Sequence, residues 1–291
     1  MFNIPGYQIE EHLHNGQICT IFKATDAQTD QPVVIKVLDT KFADYEDLCN
    51  LRHQQEIALE LAGPGFPKPL ELHCLPSCHA LVMEQASGFP LSSLILESYF
   101  EMQPVEKKLQ LAIDITKLLQ TVHEKNIAHL HLEPRHFIFD LKTSQVSLID
   151  FSSSSKMFDS QGLPPGLLTM VLQAGDLAAP EQLGMIHRSI DERADMFQVC
   201  CMFYQIFAGR SPFPVKGQPM ARLTQKPSPL QEWNPRLPEP LYRIIHKGMS
   251  YDPNLRYQSM KGLLFDLEAY CDQPTTDMPR RRVCRERCAI C

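Results

Sequence analysis

Between Asn126 and Phe151 the chain reads NIAHLHLEPRHFIFDLKTSQVSLIDF, and this stretch says more about the fold than any other. A polar loop, His129 to His136, leads into the apolar run FIF. After a polar turn, a second apolar run, VSLI, ends in Asp150. The pattern predicts two short strands joined by a turn, with the loop and Asp150 held on one rigid scaffold. Such an arrangement is typical of a functional site.

Composition and charge argue against several classes of protein. The chain has 291 residues, 44% of them hydrophobic, so it can bury a full core in one or two domains. The formal net charge of −6 gives no overall basic character of the kind that binds nucleic acid. No apolar run is long enough to span a membrane, and the first residues lack the features of a signal peptide. The ten cysteines lie mostly among apolar residues, which favours reduced thiols over disulfides and predicts a cytoplasmic protein.

The first part of the chain is rich in strand patterns. Three apolar runs, at 7–13, 19–24 and 32–38, are separated by turn residues and predict an antiparallel meander. The third run, PVVIKVL, places Lys36 among β-branched residues. A lysine buried there needs an anionic partner, whereas a lysine on an edge strand would face water. The sequence leaves both interpretations open.

A helix is predicted from about Asp44 to Ala62, because apolar residues recur through it before the Gly63-Pro64-Gly65 break. Glu56 lies in this helix and is the candidate partner of Lys36, although it could also be one of several solvated acids. Two more strands are predicted around 69–73 and 80–83. The small and turn-forming residues from Gln85 to Pro90 then predict a hinge.

The rest of the chain is predicted to be largely helical. Helix-forming apolar patterns occur at 104–125, 195–208, 241–249 and 258–270. The segment DMFQVCCMFYQIFA, from Asp195 to Ala208, is too short to span a membrane and suits a buried core helix. The tail after residue 271 is rich in proline, arginine and cysteine, and we expect it to pack poorly.

Six segments in order resemble the signature segments of the protein kinases: VVIKVL, HQQEIALEL, LIDFS, AAPEQ, IDERADMFQV and YDPNLRYQS. The resemblance implies an α+β bilobal fold, with a small antiparallel β lobe carrying one main helix and a larger helical lobe. The lobes would occupy residues 1–85 and 86–271, followed by a basic, cysteine-containing tail at 272–291. Among kinases the chain resembles serine/threonine kinase-like domains, and most of all the N-terminal domain of bacterial hybrid sensor kinases.

The resemblance also implies roles for individual residues. Lys36 would anchor the nucleotide, and Asp150 would bind a metal ion. Glu181 and Arg256 would form a scaffolding ion pair. ATP and Mg²⁺ are the implied cofactors. The implied nucleotide-binding residues are Gly16, Lys36, Glu56, Glu84 and Ala86.

The catalytic loop departs from the kinase pattern of His-Arg-Asp followed by Lys and Asn. His131 stands in place of the aspartate, Glu133 in place of the lysine and His136 in place of the asparagine. His131 could accept a proton with a different reach, and Glu133 would repel the transferring phosphate. His136 is a poor ligand for Mg²⁺, which prefers oxygen. In the phosphate-covering loop, Gly16 is the one glycine left of the three expected.

These departures predict a pseudokinase that binds ATP, with weak or single-metal binding of Mg²⁺, or that acts as a signalling scaffold. The alternative is an active serine/threonine kinase whose atypical loop uses His131 or Glu133. The partner would be a signalling protein that the sequence does not name. A role in a two-component system is implied by the resemblance to hybrid sensor kinases.

The tail has a further interpretation. Its last residues, CAIC, fit the pattern for prenylation at Cys288, with basic residues and Cys284 upstream as a second signal. This pattern predicts peripheral association with a membrane. The interpretation that we favour is a truncated chain with an arbitrary end.

Overall fold

The structure, a computed structural model, describes residues 2–16, 19–156, 177–213 and 227–272. The tail with Cys284 and Cys288, and with it the predicted lipid anchor, lies outside these residues. Within them a strand-rich part precedes a helical part, as the sequence predicts. In this described portion, no helix combines the length and apolar character needed to cross a bilayer.

Five antiparallel strands form the first sheet, in the order β1-β2-β3-β5-β4. Their bounds are Tyr7–Asn15 (β1), Cys19–Asp26 (β2), Pro32–Asp39 (β3), Pro69–Cys74 (β4) and Cys78–Glu84 (β5). Alternation along β3 buries Ile35 and Val37 in one apolar cluster and turns Lys36 to the opposite face. The predicted meander is confirmed, and β3 is an interior strand, so Lys36 is not an edge-strand lysine.

Helix α1 (Tyr45–Leu61) packs against this sheet. Its first turn is capped at Asp44, whose side chain accepts the Asp47 N–H while the Asp47 carboxylate accepts the Asp44 N–H. The last buried side chains of the helix belong to the same apolar cluster as the helical part of the chain; they are Ile57, Ala58 and Leu61. Helix α1 therefore packs on both parts of the molecule.

Two long helices lie at the centre of the helical part. Its helices are α2 (Leu91–Leu96), α3 (Val105–Glu124), α4 (Glu192–Ala208), α5 (Leu230–Trp233), α6 (Glu239–Gly248) and α7 (Met260–Asp272). Helix α3 buries one side, and nearly every residue of α4 is buried. Asp191 caps the start of α4 by accepting the Arg193 N–H, and Gly209 ends the helix in a left-handed conformation. The predicted core helix is thus confirmed.

A small sheet positions the central stretch of the sequence. The remaining strands are β6 (Phe89–Pro90), β7 (Ile127–Ala128), β8 (Phe137–Phe139), β9 (Val146–Leu148) and β10 (Ser155–Lys156). Strands β8 and β9 form the predicted hairpin, and β6 pairs with β8. Strand β7, just before the polar loop, pairs with β10, which follows Asp150. These pairings place the loop beside Asp150.

The connection between the two parts passes over the hairpin at Gly88. This residue has a φ of 118°, and a Cβ atom there would collide with the Phe139 carbonyl group. Glycine is required because only a residue without a side chain permits both the conformation and the close approach.

The predicted α+β bilobal architecture is confirmed. The boundary between residues 85 and 86 stays a prediction.

Candidate functional site

The polar loop is fixed from beneath by α4. The buried Asp195 carboxylate accepts the N–H groups of His129 at 2.8 Å and Leu130 at 2.7 Å. Gln198, one turn further along α4, accepts the Leu132 N–H at 2.8 Å. Because buried backbone groups need partners, these bonds specify the shape of the loop. The side chains that follow therefore project from a rigid base.

Lys36 and Asp150 meet in space, as the kinase resemblance implies. Lys36 Nζ lies 3.3 Å from Asp150 Oδ1 and donates to Gln54 Oε1 at 2.8 Å. Asp150 Oδ1 also accepts the Ser152 N–H at 3.1 Å. Burial disfavours the charged carboxylate, but the Lys36 ammonium and the bonds from Ser152 hold the pKa of Asp150 well below its usual range. Asp150 is therefore ionised at neutral pH.

The predicted pairing of Lys36 with Glu56 is wrong. Glu56 is exposed, and the α1 side chain that contacts Lys36 is Gln54, which is 2% exposed. The buried face of α1 contains Leu51, Gln54, Ile57 and Leu61. Their spacing of three and four residues is the period of a helix, and Glu56 falls outside that phase. The signal for Gln54 in the sequence is its helical phase, which it shares with Leu51, Ile57 and Leu61.

This correction changes the charge around Lys36. Gln54 is neutral, so it satisfies a donor of the ammonium without balancing its charge. Among the described residues, the carboxylate in ion-pair contact with Lys36 is that of Asp150. The lysine is therefore held directly by the candidate metal ligand.

Four side chains of the loop form a connected cluster. His131 Nε2 lies 3.3 Å from Glu133 Oε1, and Arg135 Nε lies 2.9 Å from Glu133 Oε2. Arg135 Nε also donates to His136 Nε2 at 3.2 Å. The His136 ring is fixed on its other side because Nδ1 bonds the His131 carbonyl oxygen at 2.8 Å. The sequence predicted roles for His131 and Glu133, but it missed Arg135.

Burial sets the protonation of the cluster. It lowers the pKa of His136 to about 3 and that of His129 to about 4, so both rings are neutral at pH 7. Burial disfavours the charged form of Glu133, but contacts with His131 and Arg135 lower the pKa of the carboxyl below its usual value. Glu133 is therefore a negative charge within the loop at neutral pH.

The predicted phosphate-covering loop is only partly described. Gly16 closes the end of the β1–β2 turn, where its N–H donates to the Cys19 carbonyl oxygen at 2.8 Å. A Cβ atom on Gly16 would lie 3.0 Å from that oxygen, so the turn is tight. Residues 17 and 18 lie outside the described part.

Glu84 and Ala86 lie at the predicted hinge. Glu84 ends β5, and its carboxylate accepts the Lys68 N–H at 3.1 Å. Ala86 follows in the connection to the helical lobe and is half-buried. Their role in binding the nucleotide stays a prediction.

A buried ion pair braces the helical lobe. Arg256 Nη1 donates to Glu181 Oε1 at 2.6 Å, and Arg256 Nη2 donates to Glu181 Oε2 at 2.8 Å. Nη1 also bonds the Arg193 carbonyl oxygen at 2.6 Å. The pair predicted from the sequence is therefore formed, with the two-pronged geometry that arginine favours.

The donor atoms near Asp150 fit one Mg²⁺ better than two. The Asp150 carboxylate offers the hard oxygen that Mg²⁺ prefers. The atom facing it is His136 Nε2, 4.0 Å from Asp150 Oδ2. A ring nitrogen suits softer cations than Mg²⁺. Lys36 and Asp150 are thus the residues that would hold a nucleotide and Mg²⁺.

Comparison with known proteins gives a consistent answer. Residues 7–264 match the model of the protein kinase domain. A probable serine/threonine-protein kinase of Streptomyces coelicolor is 25% identical over 91% of this chain and 40% of its own length. The serine/threonine-protein kinase PrkC of Bacillus subtilis is 22% identical over 91% of this chain and also 40% of its own length.

The fold has solved counterparts. The kinase domain of PknI from Mycobacterium tuberculosis superposes with a TM-score of 0.69 at 18% identity, covering 92% of this chain and 97% of that domain. The present chain spans about two fifths of the curated relatives named above. Taken with the Lys36–Asp150 pair and the Glu181–Arg256 brace, the match over residues 7–264 shows that the chain belongs to the protein kinase domain family.

Proposed function

We propose that this domain is a pseudokinase that binds ATP with one Mg²⁺ and is impaired in phosphoryl transfer. The observation that carries the proposal is the contrast within one site. Lys36 and Asp150 form an ion pair at 3.3 Å, while the adjacent loop offers a histidine and a glutamate where transfer requires an aspartate and a lysine.

The binding half of the proposal rests on charge. Lys36 is a cation on an interior strand, held by Gln54 and Asp150. Asp150 is an ionised carboxylate next to it. Asp150 would hold Mg²⁺, which would supply positive charge to the bound phosphates. Lys36 would contact the phosphates directly.

The transfer half rests on what occupies the loop. His131 presents an imidazole ring where transfer requires a carboxylate, and its Nε2 lies 3.3 Å from Glu133 Oε1, so the ring is oriented by Glu133 and Nδ1 is the nitrogen left to take a proton. Loss of a positioned general base costs roughly 10²–10⁴ in rate. The Glu133 carboxylate also opposes charge on the transferring phosphate, by about 4 kcal/mol at ~4 Å and an effective dielectric constant near 20. Arg135 pairs with this carboxylate at 2.9 Å and offsets its charge.

A second candidate is an active serine/threonine kinase with an atypical loop. The His131–Glu133 contact supports it, because a histidine oriented by a carboxylate is a general base in other enzymes. The names of the relatives support it as well, since they are serine/threonine-protein kinases.

One pair of measurements separates these candidates. We expect ATP with Mg²⁺ to raise the melting temperature of the chain, and Lys36→Met to abolish that rise. We expect no transfer of labelled phosphate to the chain itself or to a general protein substrate. Transfer that disappears in Lys36→Met would establish the active kinase instead. Absence of any thermal shift would leave a scaffold that binds no nucleotide.

The proposed setting is signalling through a protein partner in the cytoplasm. The resemblance to hybrid sensor kinases supports a two-component pathway, and the prenylation pattern at Cys288 and Cys284 supports peripheral contact with a membrane.

A further inference from the structure

The site contains a continuous row of polar side chains, which we term the charge row. Its members are Lys36, Asp150, His136, Arg135, Glu133 and His131. Neighbours in the row are separated by 3.3 Å, 4.0 Å, 3.2 Å, 2.9 Å and 3.3 Å in that order. Two cations, Lys36 and Arg135, thus lie on either side of the Asp150–His136 contact.

Arg135 has unused hydrogen-bonding capacity. Its side chain is 49% exposed, and both of its contacts within the described residues use Nε. A guanidinium group carries five N–H donors in a fixed fork, so Nη1 and Nη2 keep four of them available. Arg135 is therefore fixed at Nε, while Nη1 and Nη2 remain available to a ligand.

Arg135 also lies within electrostatic range of the phosphate-covering turn. Burial raises the pKa of the Cys19 thiol, and both Lys36 and Arg135 act against that rise. Cys19 begins β2, immediately after the turn that Gly16 closes. Lys36 and Arg135 thus both act electrostatically on Cys19, the first residue of the strand that follows the turn.

The charges of the row leave a role for such a cation. Lys36 and Asp150 balance each other, and Arg135 balances Glu133, while the His136 ring between the pairs is neutral. An entering triphosphate adds negative charge beside two carboxylates. A phosphate that bonds Nη1 and Nη2 of Arg135 gains a paired donor fork and is screened from Glu133.

We infer that Arg135 is a phosphate-binding residue. It supplies to the phosphates the positive charge that a lysine in place of Glu133 would otherwise supply. This inference rests on the proposed binding of ATP and names a residue that the kinase pattern does not predict for it. The Glu133 carboxylate holds Arg135 Nε, and the phosphates occupy the outer edge of the guanidinium. If Arg135 binds phosphate, the affinity lost when Arg135 is removed should increase with the number of phosphates on the nucleotide.

The experiment measures dissociation constants of the full chain for ATP, ADP and adenosine by calorimetry, with and without Mg²⁺. We expect Arg135→Ala to weaken ATP binding about tenfold or more, ADP less, and adenosine not at all. Arg188→Ala is the matched control, because Arg188 is 50% exposed and pairs with one carboxylate, Asp252, at 3.6 Å. It should leave all three affinities unchanged.

A double variant distinguishes direct contact from neutralisation of Glu133. If Arg135 contacts phosphate, Arg135→Ala combined with Glu133→Gln remains weaker for ATP than Glu133→Gln alone by a similar factor. If Arg135 only neutralises Glu133, the double variant binds ATP as tightly as Glu133→Gln alone, and the inference is overturned. Equal losses for ATP and adenosine in Arg135→Ala, or no loss for ATP, overturn it too.

The outcome for the parent chain keeps the two proposals apart. A parent that binds no ATP overturns the proposed function and this inference together. A parent that binds ATP while Arg135→Ala binds it equally well overturns this inference alone.

Discussion

At the scale of single residues, the amide of Gln54 replaces a carboxylate as the α1 partner of Lys36. The contact of 2.8 Å is a hydrogen bond from a charged donor, and Gln54 is 2% exposed. Bonds of this kind stabilise proteins more than bonds between neutral groups. Gln54 thus orients Lys36 and leaves its charge to Asp150 and to ligands.

Replacing Gln54 tests that assignment. We expect Gln54→Ala to lower the free energy of unfolding by about 1–3 kcal/mol, because it removes a buried bond to the Lys36 ammonium. The exposed Glu56 is the matched control, and Glu56→Ala should change stability by less than about 0.5 kcal/mol. Urea denaturation measures both. A larger loss in Glu56→Ala would restore the pairing inferred from the sequence.

Residue partners were the least predictable feature of the site. Lys36, Asp150 and the Glu181–Arg256 pair followed from motifs, because each lies at a fixed place in a recognisable segment. The motif HQQEIALEL implies an acid as the partner of Lys36, whereas the helical phase places the neutral Gln54 on the buried face and Glu56 outside it. Arg135 could not be assigned, because its contacts depend on how the loop folds back on itself.

At the scale of elements, the polar loop is a short segment whose histidines lie in a protein interior. His129 is 1% exposed and His136 is 4% exposed, and their rings lie 5.9 Å apart. Both rings are neutral in the folded state because burial lowers the pKa of His129 to about 4 and that of His136 to about 3. Both rings therefore gain a proton on unfolding when the pH is below about 6.5.

We expect the loop to make stability depend on pH. An unfolded histidine binds its proton near pH 6.5, whereas the folded pKa of His136 is about 3. Between those values the unfolded chain holds more protons, so the free energy of unfolding falls as the pH falls below about 6.5 and is level above it. From pH ~7.5 to pH ~5, each buried histidine contributes a loss of order 2 kcal/mol.

Denaturation in urea at the two pH values checks this expectation. His136→Asn should remove part of the pH dependence, while His14→Asn, at an exposed position of β1, should leave it unchanged. An equal dependence in the His136→Asn variant would show that the ring is not buried in its neutral form.

Elements with their own periodicity were predictable, and elements made by pairing were not. Helix α1 was predictable from apolar residues that recur along it, helix α4 from its long apolar run, and the hairpin β8–β9 from two apolar runs on either side of a polar turn. Strands β6, β7 and β10 have two residues each, so no period can show in the sequence. They exist because a distant strand pairs with them.

At the scale of the whole molecule, the Glu181–Arg256 brace links segments far apart in the chain. Both side chains are at most 1% exposed, and Arg256 also bonds the carbonyl oxygens of Ser250 and Arg193. Arg256 thus ties the segment before α7 to the start of α4 and to the segment at Ala179–Glu181. Removing one partner leaves the other as a buried charge.

We expect Arg256→Met to lower the free energy of unfolding by about 3–5 kcal/mol, since it leaves Glu181 charged and unpaired. Arg243→Ala is the control, because Arg243 pairs with Glu239 at 2.6 Å on the surface, with both side chains exposed. Its effect should stay below about 1 kcal/mol. Melting temperatures of the two variants give the comparison, and similar shifts in both would contradict the role of the brace.

Helix α1 packs its end into the large lobe, and this sets how the cleft can move. An outward swing of α1 would expose Ile57, Ala58 and Leu61 to water. Uncovering large aliphatic side chains costs about 1.5–3 kcal/mol for each, so the swing would cost several kcal/mol. The small lobe should therefore rotate about the C-terminal end of α1, while the contacts of that end with the large lobe stay in place. A protein partner that displaces the C-terminal end of α1 would break the Gln54–Lys36 hydrogen bond without contacting the nucleotide.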